Sequence, residues 1–405
     1  MPAVLLNARL KAGCLVLEGL NAFATTLYFY YLYFFMHQRF GFDNKANLLL
    51  AAASGFVYAV AVLLGGKFAQ RAGYFTALKL GTAIMIAALA VGAQVPSPTG
   101  HVLIMMVTTV GMCFTWPALE ALVSEGESPV RLARWVGCYN VVWAGSSALA
   151  YFCGGAVIEA AGPRSLFFAP IGIFIAQLAL LFWMESRARR RGAVNPSSPV
   201  VAPEEVPPLN PRPVARARTF LRMAWFANPF AYIAINTLIA VMPGLATRLG
   251  LSTAEAGLYG SLWCFARLGA FFGLWFWPGW HYRLRWLLAA YAVMVGTFAA
   301  ILIVSTLPVW LLAQVLFGAA LGLIYYSSLF YSMDVGETKG EHGGIHEAAI
   351  GLGNCVGPAV GAAALHVMPH APQSGPMAVS LLLLAGLGGL IGLARNLGVR
   401  ESGRQ

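Results

Sequence analysis

Charge is what this sequence lacks most. Only 10% of its 405 residues are Asp, Glu, Lys or Arg, where a soluble globular domain carries about 25%. Acids are the scarcer sign, 15 against 26 basic residues. So little charge cannot coat a water-facing surface of this size, which excludes an ordinary soluble protein. Cysteine is sparse as well. Cys14, Cys113, Cys138, Cys153, Cys264 and Cys355 all lie in apolar runs and none lies in an expected outer loop, which argues against a disulfide framework. No GxxxxGK[ST] phosphate loop is present, so the chain is not expected to be an ATP-driven pump. A cleavable signal peptide is not expected either. The first apolar block is too long, contains Glu18 and lacks a cleavage site, so it is expected to remain as a helix.

What is present is apolar material, 59% of the chain, in blocks long enough to cross a bilayer, which takes about 20 helical residues. Twelve spans are predicted, at 13–36, 47–65, 76–95, 102–123, 135–158, 165–184, 220–242, 255–277, 286–306, 308–331, 346–367 and 376–396. The runs are continuous rather than alternating, so helices are expected and strands are not. With the N-terminus placed in the cytoplasm, only Arg39, Lys45, Arg164 and Arg248 fall on outer segments, while Lys79 and Arg267 lie within spans. All the other basic residues fall on inner segments, the asymmetry of the positive-inside rule, and both termini are then cytoplasmic. The net charge of +11 therefore reports topology and attraction to anionic lipid, not nucleic-acid binding.

One connection is long. Residues 185–219 form a polar segment rich in Arg and Pro, whose prolines break helices and favour extended backbone. Six predicted spans precede it and six follow. Corresponding positions of the two halves carry a weak trace of duplication. In 124–147 and 335–358 an acidic, Gly-containing turn leads into a helix with Gly and Asn.

This layout resembles the major facilitator superfamily over the whole chain. Between the second and third spans, the stretch Gly66-Lys67-Phe68-Ala69-Gln70-Arg71-Ala72-Gly73-Tyr74-Phe75 is similar to the family's loop motif. It keeps Gly66, Arg71 and Gly73, but has Gln70 where the family has an acid and Tyr74 and Phe75 where it has a basic pair. The resemblance implies two six-helix bundles rocking around a central site, with spans one, four, seven and ten lining the centre. It also implies a latch, with Arg71 pairing with Glu120 at the end of the fourth span and Glu347, at the start of the eleventh, or Glu341 nearby standing in for the acid missing at Gln70. A plain positive-inside anchor is the other reading of Arg71. The eleventh span carries Gly353, Gly357, Pro358 and Gly361. This spacing favours close packing against the second span over a drug-antiporter signature, which belongs on the fifth.

Polar stripes mark the candidate cavity. In the first span Glu18, Asn21, Thr25 and Tyr28 fall on one helical face. In the seventh, Asn228, Tyr232 and Asn236 are four apart, and the fourth aligns Thr109, Cys113, Trp116 and Glu120. The tenth carries Gln314, Tyr325, Tyr326, Ser327 and Ser328, and the fifth, eighth and eleventh add Asn140, Trp143, Arg267 and Asn354. Each amide or hydroxyl has an alternative role as an interhelical hydrogen bond.

Arg267 is the most expensive of these residues. It lies midway along the apolar run 256–277, and a guanidinium at that depth costs at least ~2.5–3.5 kcal/mol on insertion scales. A substrate anion, a carboxylate such as Glu18, or neutral partners such as Asn140 would each account for it. Asn21, Asn140, Asn236 and Asn354 would supply hydrogen bonds, Thr25 and Tyr28 extend the stripe, and Trp143, Trp263, Tyr325 and Tyr326 would form aromatic walls. Glu18 lies about five residues into its predicted span, roughly 7–9 Å from the inner end. It is the first candidate for proton coupling, with a satisfied structural acid as the alternative. Glu120 is the second candidate. Lys79 is expected to snorkel.

Asp334, Glu337, Glu341, His342, His346 and Glu347 crowd the turn before the eleventh span. His342 and His346 have metal-ligand spacing, but Gly343 and Gly344 intervene and HExxH is absent, so a structural or gating role is expected and no metal. The fold expectation is an all-α integral membrane protein with twelve transmembrane helices in two six-helix bundles, 1–184 and 220–405, joined by a cytoplasmic linker. The expected function is secondary active transport of a small polar or anionic organic solute, with protons as the candidate coupling ion. An exporter or flippase of amphiphiles and a membrane sensor or enzyme on a transporter scaffold are the alternatives. The expected partners are the solute and the bilayer of the plasma membrane (the inner membrane in a Gram-negative cell). A monomer without cofactor or nucleic acid is expected.

Overall fold

A computed structural model describes the backbone of residues 8–127, 129–190, 214–335 and 339–396. Its side chains are described for residues 9–127, 131–132, 134–190, 216–332, 347 and 349–396. Everything regular in it is helical. In chain order the elements are α1 (Ala8–Phe40), α2 (Asn44–Ala72), α3 (Tyr74–Gly92), α4 (Pro98–Ser124), α5 (Pro129–Ala161) and α6 (Ser165–Arg190), then α7 (Val214–Arg248), α8 (Thr253–Gly260), α9 (Leu262–Phe276), α10 (Leu284–Ile303), α11 (Leu307–Val335), α12 (Lys339–Val367) and α13 (Ser374–Asn396). A short 3-10 turn, Pro278–Trp280, precedes α10. Eleven of these helices are long and apolar enough to cross a membrane. Most overrun the predicted spans, because a helix that satisfies its own backbone inside lipid continues into its polar flanks. The predicted linker's central residues, 191–213, lie outside the described residues.

The predicted eighth span is divided in two. Ser261 separates α8 from α9, and neither piece alone is long enough to cross a bilayer. Ser261 keeps right-handed helical dihedrals (φ −78°, ψ −9°), so the interruption is a local tightening. Its Oγ donates to the Leu258 carbonyl at 3.0 Å, and its own carbonyl accepts from Cys264 N at 2.8 Å. Such a three-residue bond next to a Gly–Ser pair replaces the α-helical ladder for one turn. The start of α8 is fixed by a capping box, in which Ser252 Oγ accepts from Glu255 N and Glu255 Oε2 accepts from Ser252 N.

The chain forms two compact units, Met1–Leu32 with Val57–Pro211, and Tyr33–Phe56 with Arg212–Gln405. The division runs through α1 and α2. In the first unit α3 and α4 lie backbone to backbone, since a Cβ on Gly81 would come within 2.9 Å of Phe114 Cβ. A buried apolar core including Leu10, Cys14, Leu78, Leu119, Leu122 and Met184 fills the space beside them. Gln177 on α6 donates to Thr82 Oγ1 on α3 at 3.0 Å.

In the second unit α12 packs on α7. A Cβ on Gly353 would meet Tyr232 Cβ at 2.7 Å, and one on Gly357 would meet Ile233 Cα at 2.9 Å. Two of the glycines expected to face the second span, Gly353 and Gly357, therefore serve α7, while the expected packing on α2 is made by Gly361, beside Leu48, and by Gly55 against the Asn354 backbone. The same unit ties the end of α1 to α7 and α8. Gln38 Nε2 donates to Thr253 Oγ1 at 2.8 Å, and His37 Nε2 lies 3.4 Å from Thr247 Oγ1.

Candidate functional site

The polar face of α1 is buried in the first unit, as its offsets of 3, 7 and 10 residues require of one helical stripe. Glu18, Asn21 and Tyr28 are inaccessible and Thr25 is nearly so. Thr25 Oγ1 donates back to the Asn21 backbone carbonyl at 2.6 Å. Both polar atoms of the Asn21 side chain have no hydrogen-bond partner among the described residues. Tyr28 packs its ring on Phe167, with centroids 6.1 Å apart. Helix α5 comes close beside this stripe, where Ser146 Oγ stands 3.3 Å from the Cβ position of Gly19. On α5, Asn140 is buried and donates to the Val136 carbonyl at 2.8 Å, while Trp143 is half-buried. Because α1 begins at Ala8, Glu18 stands about 15 Å along the helix at ~1.5 Å per residue, farther from the helix start than the apolar run alone implied.

In the second unit α9 places Trp263, Arg267 and Phe271 on one face, four residues apart, and buries all three. The Arg267 guanidinium carbon lies 5.1 Å from the Trp263 ring centre, a cation–π contact that is stronger away from water. Phe271 carries the stripe onward. Its ring lies 5.7 Å from Tyr325 and 5.9 Å from Tyr326, at low interplanar angles of 33° and 37°. Asn236 and Asn354 find each other: the Asn236 amide donates to Asn354 Oδ1 and also to the Tyr232 carbonyl at 3.2 Å. Arg267 thus meets Trp263 on α9, Phe271 meets Tyr325 and Tyr326 on α11, and the two asparagines pair between α7 and α12.

The predicted gating residues lie apart. Gly73 has φ +94° as the residue before α3, a conformation that glycine adopts without steric cost. Gly66 has open space at its Cβ position. Arg71 is exposed, Glu120 is half-buried, and no ion pair joins them among the described residues. Glu347 lies two turns inside α12 rather than at its start, because that helix begins at Lys339. The side chains of Asp334, Glu337, Glu341, His342 and His346 lie outside the described residues, and among the described residues no group of three potential metal ligands gathers.

Two basic residues, Lys79 and Lys11, are held in polar networks. Lys79 is bound to Glu185 at 2.8 Å and lies 5.1 Å from the Phe182 ring centre. More informative is Lys11, which had no role in the sequence beyond its position on an inner segment. It is 2% exposed. Its Nζ donates to the carbonyls of Val123 at 3.1 Å and Glu125 at 3.0 Å, and to Glu127 Oε1 at 2.6 Å. Arg131 Nε holds the other Glu127 oxygen at 3.1 Å. Lys11 therefore caps the carboxyl end of α4, where unpaired carbonyls carry partial negative charge.

The family profile described as Major Facilitator Superfamily matches residues 14–358. Among solved structures, the fold is similar to an inward-facing bacterial homologue of the human lysosomal transporter Spinster (TM-score 0.65, 14% identity, covering 96% of each chain). It is also similar to the nucleoside transporter NupG (TM-score 0.65, 13% identity, covering 96% of this chain and 98% of that one). A structure addressing substrate recognition in proton-dependent oligopeptide transporters matches with TM-score 0.67 and 16% identity over 96% and 99% of the two chains. At these identities the likeness is one of fold. No curated protein sequence matches the chain closely enough to count as a relative.

Proposed function

Because the chain belongs to the major facilitator superfamily, we propose that it carries a small polar or anionic organic solute across the plasma membrane by alternating access, coupled to protons. In this reading the segments before and after the linker act as two six-helix bundles with both termini cytoplasmic, as the placement of basic residues favours. The observation that carries the proposal is the burial of ionisable groups inside apolar helices, Glu18 on α1 and Arg267 on α9. Such groups are expensive in a membrane and mark substrate or ion pathways. Arg267 contacts the solute, the stripe Asn21, Thr25 and Tyr28 and the amides Asn140, Asn236 and Asn354 supply hydrogen bonds, and Trp143, Trp263, Tyr325 and Tyr326 wall the site. Glu18 carries the coupling proton, with Glu120 as the secondary acid. Gly66, Arg71, Gly73 and Glu347 act at the gate.

Proteoliposomes containing the purified protein test this reading. With a metabolite mixture outside and an imposed pH gradient, at least one solute is expected to accumulate, and collapsing the gradient to abolish accumulation. Glu18→Gln should keep substrate exchange and lose gradient-driven accumulation. Full gradient-driven uptake by that variant would remove Glu18 from coupling.

A further inference from the structure

Helices α9 and α11 touch along their backbones. A Cβ on Gly318 would stand 2.8 Å from Ala266 Cβ and from the Trp263 carbonyl carbon, and one on Gly322 would stand 3.2 Å from the Arg267 carbonyl oxygen. The matches of 318 with 263 and of 322 with 267 make the two helices parallel neighbours. One turn before Gly318 on α11 stands Gln314. Its side chain is inaccessible, and neither Oε1 nor Nε2 has a hydrogen-bond partner among the described residues. The Trp263 indole is also inaccessible, with no partner for its Nε1–H. A turn along α9, Arg267 lays its guanidinium over that indole.

Buried amides without partners destabilise a fold, and an apolar side chain of the same shape removes that penalty. By the same register Gln314 stands about one turn from the level of Trp263 and two turns from that of Arg267. Unsatisfied polar groups along a helix contact that also holds a buried cation are accounted for by a ligand that satisfies them when it binds. The donor inventory says what it must offer. Arg267 and Trp263 only donate, and Gln314 donates from its NH₂ while its carbonyl accepts. A donor-only pair carrying positive charge suits an oxyanion, and a guanidinium suits a planar one. Phe271, nearly parallel to Tyr325 and Tyr326, adds a flat apolar wall next to it.

We infer that this face of α9 and α11 recognises a substrate that joins a carboxylate to a flat, apolar ring, with Gln314 and the Trp263 indole N–H determining specificity beside Arg267. The inference rests on the transporter reading above and names a substrate class for it.

Binding to the full-length protein in lipid nanodiscs tests this. Benzoate, phenylacetate and indole-3-acetate are each compared with their neutral amides by thermal shift, since binding to the folded state raises its apparent stability. The acids are expected to stabilise the protein and the amides to bind at least tenfold more weakly. Gln314→Leu should weaken the acids about tenfold, or 1.4 kcal/mol, while its ligand-free melting temperature stays level or rises; a merely structural amide would lower it. Trp263→Phe, which keeps an aromatic face under Arg267 but removes the N–H along with part of the ring, should weaken the acids at least as much. Equal binding of acids and amides, no binding of any acid, or unaltered acid binding by both variants would overturn the inference. Accumulation of some other solute in proteoliposomes would then leave the transporter reading standing, whereas that reading fails on its own if no solute accumulates.

Discussion

Lys11 is a single residue on which several backbone groups depend. Its ammonium satisfies carbonyls at the end of α4 and a carboxylate of the following turn that is itself only 10% exposed. Removing Lys11 takes the donor from two carbonyls and leaves Glu127 with the exposed Arg131 as its remaining ion-pair partner. Lys11→Met is therefore expected to destabilise the protein by ~3 kcal/mol, read as a lower unfolding temperature in detergent. Pairing it with Glu127→Gln should recover part of that loss, because the under-compensated carboxylate is gone; no recovery would show that packing, not charge, is what Lys11 supplies. The glycines of the α2–α3 loop make a second contrast at this scale. Gly73 sits at φ +94°, so Gly73→Ala forces a left-handed residue at a cost of ~1–2 kcal/mol. Gly66 lies inside α2 with open space around it, and Gly66→Ala should be neutral or stabilising by up to ~1 kcal/mol. Thermal unfolding of the two variants side by side checks the difference. The sequence made Gly66 and Gly73 look like equal members of one motif. They differ because a backbone torsion, which no residue spacing encodes, separates them.

At the scale of elements, helix proximity in the second unit depends on residues too small to hold neighbours apart. Gly318 faces the Trp263 carbonyl and Ala266, and Gly322 faces Ala270. Gly318→Val should wedge α11 from α9, cost ~1–3 kcal/mol by overpacking, and tilt the Trp263–Arg267 face. Intrinsic tryptophan fluorescence would register the change, and an unshifted spectrum with unchanged unfolding would contradict the packing described. How much of this was legible in the sequence follows from the range of each interaction. The helices were legible because continuous apolar runs between basic flanks leave few other structures in a bilayer. The closeness implied by Gly353 and Gly357 was legible too, but their partner was not: four-residue glycine spacing says that a helix approaches, and only tertiary structure says that it is α7. The break at Ser261 was hidden because one hydroxyl and one three-residue bond produce it without altering the apolar run. The role of Lys11 was hidden because its carboxylate partner is 116 positions away.

For the whole molecule, a membrane-bound, all-helical chain of the major facilitator superfamily follows from the apolar helices and the family match. Within the proposed site, Arg267 and Trp263 meet on α9, and Tyr325 and Tyr326 meet Phe271, which the sequence did not single out. Arg267 stood out by its cost in lipid, and Trp263, Tyr325 and Tyr326 by their aromatic character. That Asn236 and Asn354 hydrogen-bond to each other could not be read from two separate asparagines, and it narrows what they offer a solute in this state. The central claim is that the buried charge on α9 serves a transported solute rather than the fold. Gradient-driven uptake into proteoliposomes, with wild-type and Arg267→Gln proteins reconstituted at equal amounts and compared on the same metabolite mixture, tests it most directly. The account predicts accumulation by the wild type and at least a tenfold loss in the variant, with the variant's unfolding temperature unchanged or raised. Equal accumulation by the two proteins would contradict it.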